Sequence, residues 1–140
     1  MSQKNKLPLT GGCLCGAVRY VISELPKGSA KCHCRTCQKA SGSAFLPILF
    51  IAADAVTITG QYREYPTLAA SGNTLYRAFC PICGSALFGR NSGYPSIRPV
   101  VVSSLDDPSG FHADLDMWVT DAQPWDIMDP DIPKFTGNPW

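Results

Sequence analysis

Residues 75–88 read LYRAFCPICGSALF: an apolar, aromatic-rich run, a C-x-x-C-G turn and a second apolar run. Both runs suit short strands. The turn between them points two sulfurs the same way, and Gly84 relieves its tight backbone. This is the pattern of a metal knuckle carried on two strands, and it needs two more thiols to complete a tetrahedral set. The nearest such pair in form is Cys13 and Cys15, in G-G-C-L-C-G at 11–16. On an extended segment the side chains of a C-x-C face opposite ways. Gly11, Gly12 and Gly16 flank the pair and allow a bend that brings the sulfurs together. A set of Cys13, Cys15, Cys80 and Cys83 would staple residues 13 to 83 and contribute directly to folding. The plainer alternative is two unrelated pairs of free thiols.

The other three of the seven cysteines are Cys32, Cys34 and Cys37, in C-H-C-R-T-C. Three sulfurs within six residues can take three corners of a tetrahedron. The fourth corner is then open to water or to an added thiol, and that is where chemistry can happen. Alternatively, a histidine closes the set into a second structural site. His33 and His112 are the two histidines available. Disulfides fit poorly: the cysteine count is odd, and the N-terminal MSQKNKLPLTGG has two lysines with no apolar run behind them to mark a secretion signal.

The bulk composition bounds the rest. At 140 residues the chain suits one domain (1–140), large enough for a core and small enough to profit from a metal staple. Its formal net charge is +1, and about −2 with seven thiolates and two Zn²⁺. Neither value suits a nucleic-acid binder. No stretch approaches the roughly 18 apolar residues of a membrane span, so a cytoplasmic protein with no membrane partner is expected.

Twelve Gly and 12 Pro cut the sequence into short pieces, and most read as strands: Ala17–Ile22, Ala44–Ile51, Val56–Thr59, Leu75–Phe79, Ala86–Phe88, Val100–Ser103 and Met117–Thr120. Pro47 should mark an edge or a break. Helix signals are confined to a turn at Arg35–Ala40 and a capped turn at Ser104–Asp107. Residues 122–140, rich in Pro, Trp and Asp, should lie as an ordered strap over the core.

Three motifs in order, GGCLCGAVRY at 11–20, CHCRTCQKASG at 32–42 and FCPICGSALF at 79–88, resemble the glutathione-dependent formaldehyde-activating enzyme family, also called the centromere protein V/formaldehyde-activating domain. The resemblance covers roughly residues 10–127. It implies a mainly β, β-tent fold of short antiparallel sheets with little helix. It also implies two zincs per chain: a structural one on Cys13, Cys15, Cys80 and Cys83, and a catalytic one on Cys32, Cys34 and Cys37. The implied activity is a carbon–sulfur lyase that joins a glutathione-like thiol to a small aldehyde such as formaldehyde. Family members often carry a His, then a Lys before a Pro-Trp pair. This chain keeps Pro124 and Trp125, with Asp116 and Ala122 at the other two positions.

Arg35, Lys39, Arg77 and Arg98 are candidate cations for the ligand's carboxylates. His33 is a candidate proton shuttle, and Ser41–Ser43 could offer backbone N–H groups. The competing reading is a non-catalytic zinc scaffold. A methionine sulfoxide reductase on a related fold would need a free cysteine outside the knuckles, and no cysteine follows Cys83. Residues 44–51 and the aromatic tail could serve a homodimer.

Overall fold

The short apolar pieces pair into two sheets. The computed structural model describes residues 6–69 and 71–140, so the reading of the first five residues lies outside it. A three-stranded antiparallel sheet joins β1 (Leu9–Gly12), β2 (Arg19–Ile22) and β5 (Val56–Thr59), with β2 central. The larger sheet uses β3 (Gly28–Cys32), β4 (Leu46–Ala52), β6 (Arg63–Leu68), β7 (Thr74–Phe79), β8 (Ala86–Asn91), β9 (Ile97–Val101) and β10 (Leu115–Met117). Its spatial order is β10-β3-β4-β9-β8-β7-β6. Its pairings are antiparallel except β10 against β3. Among the described residues the one α-helix is α1 (Arg35–Ser41). The protein is mainly β, as the sequence implied, and neither sheet closes into a barrel.

The apolar run at 44–51 explains the layering. A strand buried on both faces reads as a continuous apolar stretch. Leu49 and Ile51 of β4 enter one core with Val18, Tyr20, Ile22, Leu87, Phe88 and Val100. Leu46 and Ile48 enter a second core with Ala30, Cys32, Cys37, Val101 and Met117. The first core gathers side chains from both sheets, and the second lies on the α1 side of β4. Pro47 neither breaks β4 nor sits on an edge strand. It pairs with Lys31 of β3, one residue past the end of the β4–β9 ladder at Ile48–Val101.

Other expectations need correction. Ser104–Asp107 forms no helix. A 3₁₀ turn covers Val102–Ser104 instead, and the Ser104 hydroxyl bonds the Val101 carbonyl at 2.7 Å and the Tyr20 hydroxyl at 2.6 Å rather than capping N–H groups. The strand expected at Met117–Thr120 is Leu115–Met117, because Trp118 turns into the left-handed region (φ 58°) and opens a 3₁₀ turn at Val119–Asp121. Strands β1, β3 and β6 lacked a legible signal. β1 ends in Gly11 and Gly12, and a Cβ at Gly11 would lie 2.3 Å from the Tyr20 hydroxyl. β6 is a largely exposed edge strand with Pro66 in its middle.

An ion pair fastens the small sheet to the segment after β9. Arg19 of β2 donates to Asp106 at 2.9 Å, and the Thr10 hydroxyl of β1 donates to it at 2.6 Å. The Arg19 guanidinium, then Thr10, pull the Asp106 carboxyl from its usual 3.8 to about 2. A carboxyl held low stabilises the fold above its ordinary pKa, and that contribution disappears as pH falls through its folded value. Urea midpoints of the wild type should therefore exceed those of Asp106→Asn at pH 6, and the gap should close between about pH 4 and pH 2. It should be small throughout, since the two side chains are 44% and 47% exposed.

Candidate functional site

Strand β3 delivers Cys32 into the second core, and the chain then turns into α1. Cys34 is the N-cap of that helix: its backbone is extended (φ −63°, ψ 153°), and its sulfur accepts the Cys37 N–H at 3.3 Å. Gly42 closes α1 in the left-handed conformation, φ 69°. The result is three sulfurs, Cys32, Cys34 and Cys37, all within 4.8 Å of one another. Cys32 and Cys37 are buried and Cys34 is half-buried. Without a cation the trio favours charge on one member. Hydrogen bonds from Cys32, then Cys37, pull the Cys34 thiol down to about 2. The bond to Cys34 pushes Cys32 far above the usual thiol range. Only a positive ion lets all three ionise together, and three thiolates are donors that zinc accepts.

Cys13, Cys15, Cys80 and Cys83 form the second set, again within 4.8 Å of one another. The bend the glycines allow is present: Gly16 has φ 82°, and the Cys13 N–H bonds the Val18 carbonyl at 3.0 Å. Gly84 has φ 76° and donates to the Cys80 carbonyl at 2.8 Å. Backbone N–H groups of Val18 and Ile82 point at the Cys13 and Cys80 sulfurs, at 3.2 and 3.4 Å. The Ser85 hydroxyl, 3.2 Å from Cys83, helps to pull that thiol down to about 5. The chain therefore presents one set of four sulfurs and one of three, and each can hold a metal ion.

Neither histidine joins these sets among the described residues. His112 is exposed. His33 is fully buried, and both ring nitrogens are occupied. Nδ1 meets Asp126 Oδ2 at 2.7 Å, and Nε2 meets Asp116 Oδ1 at 2.8 Å. The ring has no nitrogen left to ligate a metal or to meet a ligand. The other Asp116 oxygen accepts from Lys134 Nζ at 3.1 Å, and that ammonium also donates to the carbonyls of Asp129 and Ile132.

Gln38 of α1 extends the network. Its amide donates to the His33 carbonyl at 2.6 Å and the Asp121 carbonyl at 2.9 Å, while its oxygen accepts from Gln123 at 3.1 Å. The segment after β10 is thus an ordered strap bonded to the back of the three-cysteine loop. Asp126, Lys134 and Gln38 were missed by the sequence reading. The available signal was a lone histidine between two cysteines, which must find partners if buried.

The structure separates the candidate cations. Arg77 Nη2 lies 3.6 Å from Cys37 Sγ, and its Nε is buried without a partner. Arg35 bonds Gln38. Lys39 is exposed. Arg98 bonds the Gly89 carbonyl at 3.3 Å and lies over the Phe88 ring of the first core. Ser41–Ser43 is a self-satisfied turn: the Gly42 N–H bonds Gln38 and the Ser43 N–H bonds the Ser41 hydroxyl.

The family model described as glutathione-dependent formaldehyde-activating enzyme matches residues 8–121. A curated relative from Halomonas elongata, named "Putative glutathione-dependent formaldehyde-activating enzyme", is 31% identical over 107 residues. That match covers 70% of this chain and 66% of the relative's length. A crystal structure of a Rhodobacter sphaeroides protein is similar in fold, with a TM-score of 0.55 at 20% identity, over 74% of this chain and 90% of that one.

The His33 network has a measurable weight. Removing one partner of a buried charged group costs about 3–5 kcal/mol. His33→Phe should lower stability to urea by that order and expose the strap beyond residue 122 to proteolysis. Asp126→Asn, which keeps a hydrogen-bonding oxygen, should do markedly less.

Proposed function

The chain belongs to the glutathione-dependent formaldehyde-activating enzyme family, and we propose that it is a zinc-dependent carbon–sulfur lyase. It would join a glutathione-type thiol to formaldehyde or a similarly small aldehyde and run the reverse cleavage. The observation that carries this reading is the unequal division of sulfurs: four in one set, and three in the other with no fourth His, Cys, Asp or Glu beside them among the described residues. Cys13, Cys15, Cys80 and Cys83 would hold a structural zinc, and Cys32, Cys34 and Cys37 a second. Zinc bound to those three supplies a place for an incoming thiol and lowers its pKa, so that a thiolate is available at neutral pH.

The chain's own groups prepare that place. The α1 cap fixes the Cys34 and Cys37 sulfurs relative to each other. The bracketed His33 fixes the backbone between Cys32 and Cys34. Three thiolates carry one negative charge more than a dication neutralises, so the set suits release of a nucleophilic sulfur better than polarisation of a carbonyl. In the addition, the thiol's sulfur lone pair forms the carbon–sulfur bond, the carbonyl π pair moves to oxygen, and that oxygen takes a proton from solvent. Cleavage is the reverse. No described helix is long and apolar enough to cross a membrane.

Native mass spectrometry with and without glutathione tests the reading, together with the rate of S-hydroxymethylglutathione formation. The wild type should carry two zincs, retain one glutathione and accelerate the reaction. Cys37→Ser should lose the adduct and the acceleration with little change in urea midpoint, whereas Cys80→Ser should lose zinc and stability. Equal loss of stability in both variants, with no adduct in the wild type, would mean a scaffold with two structural zincs.

A further inference from the structure

We infer that Arg77 is a positioning residue of the three-cysteine site: its guanidinium offsets the surplus negative charge of the sulfur set and so reserves the fourth position for an anionic sulfur ligand over a neutral one. The inference rests on the lyase reading and deepens it.

Arg77 sits in β7, level with Gly89 of β8 and Tyr65 of β6. Its neighbour Ala78 enters the first core. Alternation along a strand therefore sends Arg77 to the opposite face, where Cys37 belongs to the second core. The contact is direct, Nη2 to Cys37 Sγ at 3.6 Å.

Most other partly buried or bridging cations are committed elsewhere. Arg19 pairs with Asp106, Arg90 with Glu64 and Lys134 with Asp116. Arg98 is held by the Gly89 carbonyl. Arg77 forms no ion pair with a carboxylate among the described residues, and its Nε is buried with no acceptor. A guanidinium stays charged at any ordinary pH, and burying one of its N–H groups without an acceptor is costly. Among the described residues, the side chain its guanidinium bonds is Cys37 of the sulfur set.

The charge count gives this contact its consequence. Three thiolates on a dication total −1. A neutral fourth ligand leaves that total unchanged, whereas a thiolate makes it −2. A fixed positive charge beside Cys37 therefore favours the thiolate-bound state over the neutral-ligand state, and water screens it incompletely where the donors are buried.

The test uses Co²⁺-loaded protein, whose sulfur-to-metal absorption reports a fourth thiolate without any turnover. Wild type, Arg77→Met, Arg77→Gln and Arg77→Lys are titrated with glutathione, with 2-mercaptoethanol, which has no carboxylate, and with imidazole, which is neutral. Removing the charge should weaken both thiols by about five- to tenfold and leave imidazole unchanged, and Arg77→Lys should recover most of the loss. Arg77→Gln supplies the neutral comparison if Arg77→Met fails to fold. Weakening of glutathione alone would make Arg77 a carboxylate grip and overturn the inference. Unchanged thiol affinity, equal weakening of all three ligands, or loss of cobalt from the neutral variants would overturn it too. A wild type that binds neither thiol would overturn the lyase reading itself, and with it this one.

Discussion

An imidazole with no access to water lies between two carboxylates, and the three-cysteine loop, α1 and the strap are tied together around it. His33 sits between two of the three clustered cysteines, while Asp116 lies in the last strand and Asp126 in the strap. The parallel pairing of β10 with β3 sets Asp116 beside Lys31 and Met117 beside Cys32, and the His33 N–H bonds the Met117 carbonyl at 2.9 Å, so His33 and the residues before it are held by backbone as well as side chain. Gln38 and Lys134 take up carbonyls and the remaining Asp116 oxygen. Buried polar groups are stable only when their hydrogen bonds are complete. Here completeness requires residues 33, 38, 116, 126 and 134 to be in place at once. The sulfur loop inherits its definition from that requirement.

The two sulfur sets have separate surroundings. Cys13 and Cys80 are embedded in the first core, between the sheets, and Cys32 and Cys37 in the second, on the other face of β4. β4 is the partition, with Leu49 and Ile51 facing one way and Leu46 and Ile48 the other. A change at the three-cysteine loop is thereby packed away from the four-sulfur set, which suits a division between holding the chain together and handling a ligand.

How much of this was legible in sequence follows from the range of each interaction. The cysteine sets could be read because their spacings are local and their chemistry is narrow. β5 matches its expected bounds, and β4 was visible because burial on both faces leaves an unbroken apolar run. β1, β3 and β6 were hidden because their residues carry little strand signal: glycine in β1 where the Tyr20 ring comes close, small and polar residues in β3, charge and proline at the exposed edge in β6. Ser104 looked like a helix cap, but its hydroxyl is engaged by a tyrosine 84 residues away. The partners of His33 are 83 and 93 residues distant, beyond any local pattern. Arg77 could be named as a candidate, but only the sheet register sets it beside Cys37.

The strap also has a bearing on how copies of this chain behave toward one another. A seven-stranded open sheet has two borders, each a row of backbone groups able to recruit a foreign strand. At β6 the border is interrupted by Pro66, which offers no N–H to a newcomer. At β10 the strap lies alongside, with Lys134 bridged to Asp116 and the Asp116, Val119 and Phe135 amides already satisfied. The segment that secures His33 thus also caps the growing end of the sheet. Peeling it away would uncover, in one event, two buried carboxylates and an adhesive strand, which links loosening of the three-cysteine loop to self-association.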